Sequence, residues 1–115
     1  MTDLAFRKLV LSFEEVTEQP HFEKTSFRVN KKIIATLDLK KQKACFKLSE
    51  IDQSVFCSYH PQQIYPATGA WGKQGWTIFE LASSPIEMIK DALTLSYCNV
   101  APKTLAAKYK SEDNA

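Results

Sequence analysis

SFRVNKKIIATLDLKKQKACFKL, Ser26 to Leu48, is the stretch whose reading decides the fold. In SFRV, Phe27 and Val29 point one way, Ser26 and Arg28 the other. KIIATLDL, Lys32 to Leu39, is a β-branched apolar run. In KACFKL, Ala44, Phe46 and Leu48 share one face, and Lys43, Cys45 and Lys47 share the other. A period of two is that of a strand whose apolar half packs while the other half meets water or a partner. The joins NKK and KKQK are short and polar, so the stretch predicts a three-stranded antiparallel meander.

Upstream, Thr2 or Asp3 can cap a helix. Phe6, Val10, Phe13 and Val16–Thr17 recur at helical spacing, which predicts a helix to about Glu18, stopped by Pro20. Downstream, SEIDQSVFCSY predicts a short helix capped by Ser49, and HPQQ a loop. YPATGAWGKQGW, Tyr65 to Trp76, then holds all 3 glycines and both tryptophans of the chain. Gly69, Gly72 and Gly75 predict a tight turn with positive φ that delivers the chain into the strand GWTIFEL. One tryptophan is expected to seal the end of the core and the other to stand partly exposed. In GWTIFEL, Thr77, Phe79 and Leu81 alternate with Trp76, Ile78 and Glu80. Ser83 or Ser84 is expected to cap a last long helix with Pro85 at its first position and Ile86, Ile89, Leu93 and Tyr97 as its packing stripe. APKTLAAKYK adds a helical turn or two from Pro102, and SEDNA a frayed tail. The order is α-β-β-β-α-β(β)-α. It predicts one α+β domain, 1–115, with helices covering one face of an antiparallel sheet.

At 115 residues, 44% hydrophobic and 24% charged, the composition is that of an ordinary globular domain. No apolar run approaches the roughly 20 residues that span a bilayer. MTDLAFRKLVLSFEE lacks the pattern of a secretion signal, so a cytoplasmic protein is expected. Cys45, Cys57 and Cys98 are odd in number and widely spaced, which predicts reduced thiols. Net charge is only +2, but it is unevenly spread. Arg28, Lys31, Lys32, Lys40, Lys41, Lys43 and Lys47 are opposed between positions 28 and 47 by Asp38 alone, while acids gather at Glu14, Glu15, Glu18 and Glu23.

FEKTSFRVNKKIIATLDL (22–39), ACFKLS (44–49) and YPATGAWGKQGWTIFEL (65–81), followed by a final helix, resemble the MmcQ/YjbR family of small bacterial proteins. The likeness runs from Leu4 to Tyr109. Its markers are FRV with a lysine soon after, LDL in the second strand, and the Gly75–Trp76 pair. The resemblance implies a "double wing" fold related in shape to secretion chaperones, and a protein predicted to bind DNA. It implies no catalytic residues.

The residues themselves point to no reaction. Gly69 and Gly72 are two residues apart, Lys73 is followed by Gln74, and a strand rather than a helix follows, so this is no phosphate loop of the Walker kind. GKQG matches the GXXG clamp of KH modules, but that clamp joins two helices. Cys57-x-x-His60 lacks further ligands to complete a metal site and lacks a group that would orient it for catalysis. Glu14, Glu15 and Glu18 read as the solvated side of a helix. No cofactor is expected.

The basic segment remains. Parity puts Arg28, Lys43 and Lys47 on the sheet face opposite the core, with Lys31, Lys32, Lys40 and Lys41 in the turns. Trp76 opens the late strand on the same side, with Lys73 just before it. Cations contact phosphates and an aromatic ring can stack on an unpaired base. These residues form a candidate site for DNA or RNA. Two other readings stand beside it. Lysines at sheet edges and turns also keep sheets from pairing with one another. A free sheet edge could instead serve a protein or peptide partner. A monomer is expected, since no apolar stripe is left over.

Overall fold

The computed structural model describes residues 1–109. The Thr2 hydroxyl accepts from the Ala5 N–H at 3.1 Å and starts helix α1, Asp3–Leu11. This helix is shorter than the periodicity predicts. Glu15 adopts a left-handed φ of 61°, and Thr17–His21 becomes an edge strand, β1. Phe13 stays buried beyond the helix because the chain folds it against Tyr97 and Tyr109, at ring distances of 5.1 and 4.7 Å. Helical spacing therefore persists without a helix. Pro20 lies inside β1 instead of stopping a helix, as an edge strand tolerates.

The meander follows as β2, Lys24–Val29, β3, Lys32–Asp38, and β4, Lys43–Lys47. Asn30 and Lys31 both have positive φ, 51° and 68°, the pattern of the two-residue turn that suits twisted hairpins. The register shifts between Phe27 and Arg28, so Ile34 and Ala35 are both buried. A hydroxyl meets this irregularity: Ser96 donates to the Ile34 carbonyl at 2.7 Å.

Next come α2, Glu50–Tyr59, and β5, Ile64–Pro66. Then follow α3, Ala70–Lys73, β6, Trp76–Glu80, and α4, Ile86–Val100. Helix α5, Lys103–Ala106, and a 3-10 turn, Ala107–Tyr109, complete the described chain. The expected tail SEDNA lies outside the described residues. Ser49 caps α2 by accepting from the Asp52 N–H. Neither Ser83 nor Ser84 caps α4. Pro85 is itself the cap residue, and the buried Ser84 turns its hydroxyl to the Gln63 carbonyl. The packing stripe begins at Ile89 and runs through Ala92, Leu93, Ser96 and Tyr97, leaving Ile86 exposed at the first helical position.

The six strands form one antiparallel sheet in the order β1-β2-β3-β4-β6-β5. Its inner face meets the helices. Phe6 of α1 packs on Phe27 and Phe46, Phe56 of α2 on Phe79, and α4 lies against β3 and β4. The alternation read from the sequence holds on β4 and β6: Ala44, Phe46, Leu48, Thr77, Phe79 and Leu81 are all buried. The fold is α+β with helices on one sheet face. The opposite face is left open between the β1–β2 hairpin and α3.

Candidate binding groove on the outer sheet face

The register sets the outer face residue by residue. Thr36 of β3 stands opposite Cys45 of β4, and Cys45 opposite Ile78 of β6, which pairs with Tyr65 of β5. With Ile33 these side chains line an open groove of about 930 Å³. One wall comes from the β1–β2 hairpin, with His21, Phe22 and Lys24. The other comes from the glycine-bearing stretch, with Tyr65, Trp71 and Trp76. Phe22 is 95% exposed and Trp71 63% exposed, while Trp76 is half-buried. Neither tryptophan seals the core, contrary to the expectation for one of them. Trp76 has outward parity, and Trp71 lies on α3 at the groove wall.

The glycine stretch is built for close packing. Gly69 and Gly75 have φ of 65° and 105°. Gly72 does not share this conformation. It is helical, and a Cβ there would lie 2.0 Å from the Ala67 carbonyl oxygen. Gln53 of α2 ties the turn down from the core side. Its amide nitrogen lies 3.0 to 3.2 Å from the Gly72 and Trp76 carbonyls and the Thr77 hydroxyl.

One groove lysine is held in an ion pair. Lys43 lies opposite Glu80 in the register, 3.3 Å from its carboxylate, with its ammonium 5.5 Å from the Tyr65 ring centroid. The Tyr65 hydroxyl donates to the same Glu80 oxygen. The Tyr65 oxygen first, and then Glu80, raise the Lys43 pKa and hold it as an ammonium. Cys45 is on the floor, and burial pushes its thiol up to about 11. Burial likewise raises the Cys57 thiol, the opposite of what activates a nucleophile. Cys45 and Cys57 are free thiols. Among the described residues no three His, Cys, Asp or Glu side chains gather as a metal site.

Of the candidate residues, Lys41, Lys43 and Trp76 line the groove. Arg28 is half-buried, and its Nε donates to the Ser26 hydroxyl at 3.1 Å. Lys47 donates to the Gln74 carbonyl and stands 6.0 Å over the Trp76 ring. Lys47 and Lys73 line a separate shallow depression with Ser49, Glu50 and Asn99. Lys31 sits in the β2–β3 turn, Lys32, expected there too, instead opens β3, and Lys40 and Lys41 occupy the β3–β4 turn at the opposite end of β3. The basic cluster is thus spread over the face rather than gathered in one patch. Sequence reasoning missed His21, Phe22, Lys24, Tyr65 and Trp71 as groove residues. Tyr65 and Trp71 did carry a signal, the concentration of rings around the glycines. Phe22 and its neighbours carried none without strand β1.

Fold and groove together define a small α+β domain with a helix-covered sheet face and an open aromatic one. The model of the YjbR family matches residues 11–99, and the chain belongs to that family. No curated protein matches it. The crystal structure of Deinococcus radiodurans protein DR2400, which carries the DUF419 domain, is similar with a TM-score of 0.78 and 21% sequence identity. The match covers 94% of this chain and 87% of that one, and at this identity it speaks for the fold.

Proposed function

We propose that the protein is a non-enzymatic binding module that takes single-stranded nucleic acid along the outer sheet face. The observation that carries this reading is the set of rings on the open groove. Phe22, Tyr65, Trp71 and Trp76 line it together, two of them mostly exposed. Every base has a flat face that such rings can stack, whereas a duplex hides those faces. Cations surround the rings. Of the eight predicted ones Lys41 and Lys43 line the groove, which adds Lys24, against the acids Glu23, Asp38 and, paired with Lys43, Glu80. An apolar floor of Ile33, Cys45 and Ile78 suits bases better than a phosphate backbone.

The test is fluorescence anisotropy with labelled single-stranded DNA and RNA 20-mers at low salt, with duplex DNA as competitor. Single strands should bind and outcompete duplex, and affinity should fall linearly with log salt as counterions are released. Absence of binding at tens of micromolar refutes the proposal.

A second reading has one observation in its favour. Glu23 and Asp38 stand beside Lys24 and Lys41 over the apolar floor, a mixed-charge lining that suits a peptide. Strand addition fits less well. Edge strand β1 contains Pro20, and the other edge strand, β5, has 3 residues and ends in Pro66. Partners captured from lysate that survive nuclease would favour the peptide reading. As for location, the free thiols of Cys45 and Cys57 fit a reducing cytoplasm, and no described helix is long and apolar enough to cross a membrane.

A further inference from the structure

His21 pairs with Lys24, so Phe22 and Glu23 form a two-residue hairpin turn. Phe22 alone of these two has a positive φ, 58°. That pattern is the one in which the first turn residue is ordinarily glycine, because a side chain there is strained. The other described non-glycine residues with positive φ are Glu15, Asn30, Lys31 and Gln42, all polar. A bulky aromatic in this conformation needs a compensating contact, and the fold supplies almost none. Phe22 is 95% exposed, and its ring contact is edge-on to the adjacent His21, at 5.0 Å. The hairpin instead displays the ring on the groove wall opposite Trp71.

We infer that Phe22 is a ligand-gripping residue: the β1–β2 hairpin accepts local backbone strain to hold this ring where a flat ligand group stacks on it. Strain left uncompensated inside the molecule points to a role outside it. The identity of the flat group as a nucleobase rests on the function proposed above. Hairpin and α3 then form two aromatic walls, with the bases entering between them.

Phe22→Gly separates a gripping role from a structural one, because the two predict opposite effects on stability. The melting temperature should stay level or rise, since glycine accepts the backbone conformation and no buried contact is lost. Affinity for a labelled single-stranded 20-mer should fall by about ten-fold or more, the scale of one lost stacking platform. The salt slope should not change, because no phosphate contact is removed. Phe22→Trp should retain binding. A lowered melting temperature of Phe22→Gly would show that Phe22 is structural and overturn the inference. If the native protein binds the 20-mer and Phe22→Gly binds equally well, the inference fails while the proposed function stands. If the native protein binds no oligonucleotide, both fail.

Discussion

Gly75→Ala is the sharpest test of how the glycine stretch positions the groove wall. A Cβ at Gly75 would lie 1.9 Å from the Leu48 carbonyl oxygen and 3.1 Å from its carbon, and φ there is 105°. The obstacle is backbone, so no side-chain rotation relieves it. Leu48 is also tied to the same residue, its N–H donating to the Gly75 carbonyl at 3.0 Å, and its side chain is 2% exposed. Alanine must therefore adopt a strained φ, worth about 1–3 kcal/mol. It must also part the end of the β4–β6 ladder, at about 1 kcal/mol for the hydrogen bond. The expected loss is about 2–4 kcal/mol, against roughly 5–15 kcal/mol for a whole domain.

The neighbouring glycines are internal controls. Gly69→Ala meets nothing within 4 Å, so it suffers only from its backbone, φ 65° with ψ −142°, and should lose about 1–3 kcal/mol. Gly72→Ala has no φ penalty, and alanine ordinarily stabilises a helix by about 1 kcal/mol. The Ala67 carbonyl oxygen at 2.0 Å from the new Cβ reverses that sign. Urea unfolding followed by far-UV circular dichroism gives all three values from midpoints at constant slope. If Gly75→Ala costs no more than Gly69→Ala, the close approach to Leu48 is not what holds this turn.

Three further outcomes follow from single contacts. Ser96→Ala leaves the buried Ile34 carbonyl without its 2.7 Å hydroxyl partner and should cost about 1–3 kcal/mol in urea unfolding; a cost near zero would show that the strand irregularity needs no partner. The Cys45 thiol is raised from 9.0 to about 11, so its contribution is fully present below pH 9 and lost as pH rises towards 11. By pH 10 this amounts to about 1.4 kcal/mol, a pH dependence that Cys45→Ala should remove from the urea midpoints. Glu80→Gln releases Lys43 from a pair about one-third exposed, so stability should shift by under about 1 kcal/mol. Oligonucleotide affinity should then rise and its salt slope steepen by about one, and weaker binding would place Glu80 itself among the ligand contacts.

The meander was legible because its signal is local. Period-two alternation in KACFKL and WTIFEL states which residues are buried without reference to any other segment, and the burial on β4 and β6 follows it. Strand β1 was not legible for the converse reason. TEQPH has four exposed residues in succession and packs no alternating apolar face, so only its pairing with β2 makes it a strand. The helix α1 misreading has the same root. Phe13 and Val16 keep helical spacing because they pack on the core, and packing of a folded-back segment imitates periodicity.

The groove lies a step further from the sequence, because strand order assembles it. Phe22 and Trp71 are far apart in the chain and meet one groove only because β1–β2 and β5–β6 close opposite sides of the sheet. Parity placed Lys43 and Lys47 outward but could not name their partners. Glu80 and the Gln74 carbonyl face them only once β4 pairs with β6. The separation of charge read along the chain does not carry over into space. Glu14 pairs with Lys108, Glu18 of the edge strand turns to Arg7 of α1, and Glu23 lines the groove itself, while the helices carry Lys8, Lys90 and Lys103 beside Glu50, Asp52, Glu87 and Asp91. Charges of both signs therefore stand on the helices and in the groove alike. The groove thus owes its character to rings that strand order gathers, Phe22 from one side and Trp71 and Trp76 from the other, rather than to a field of one sign.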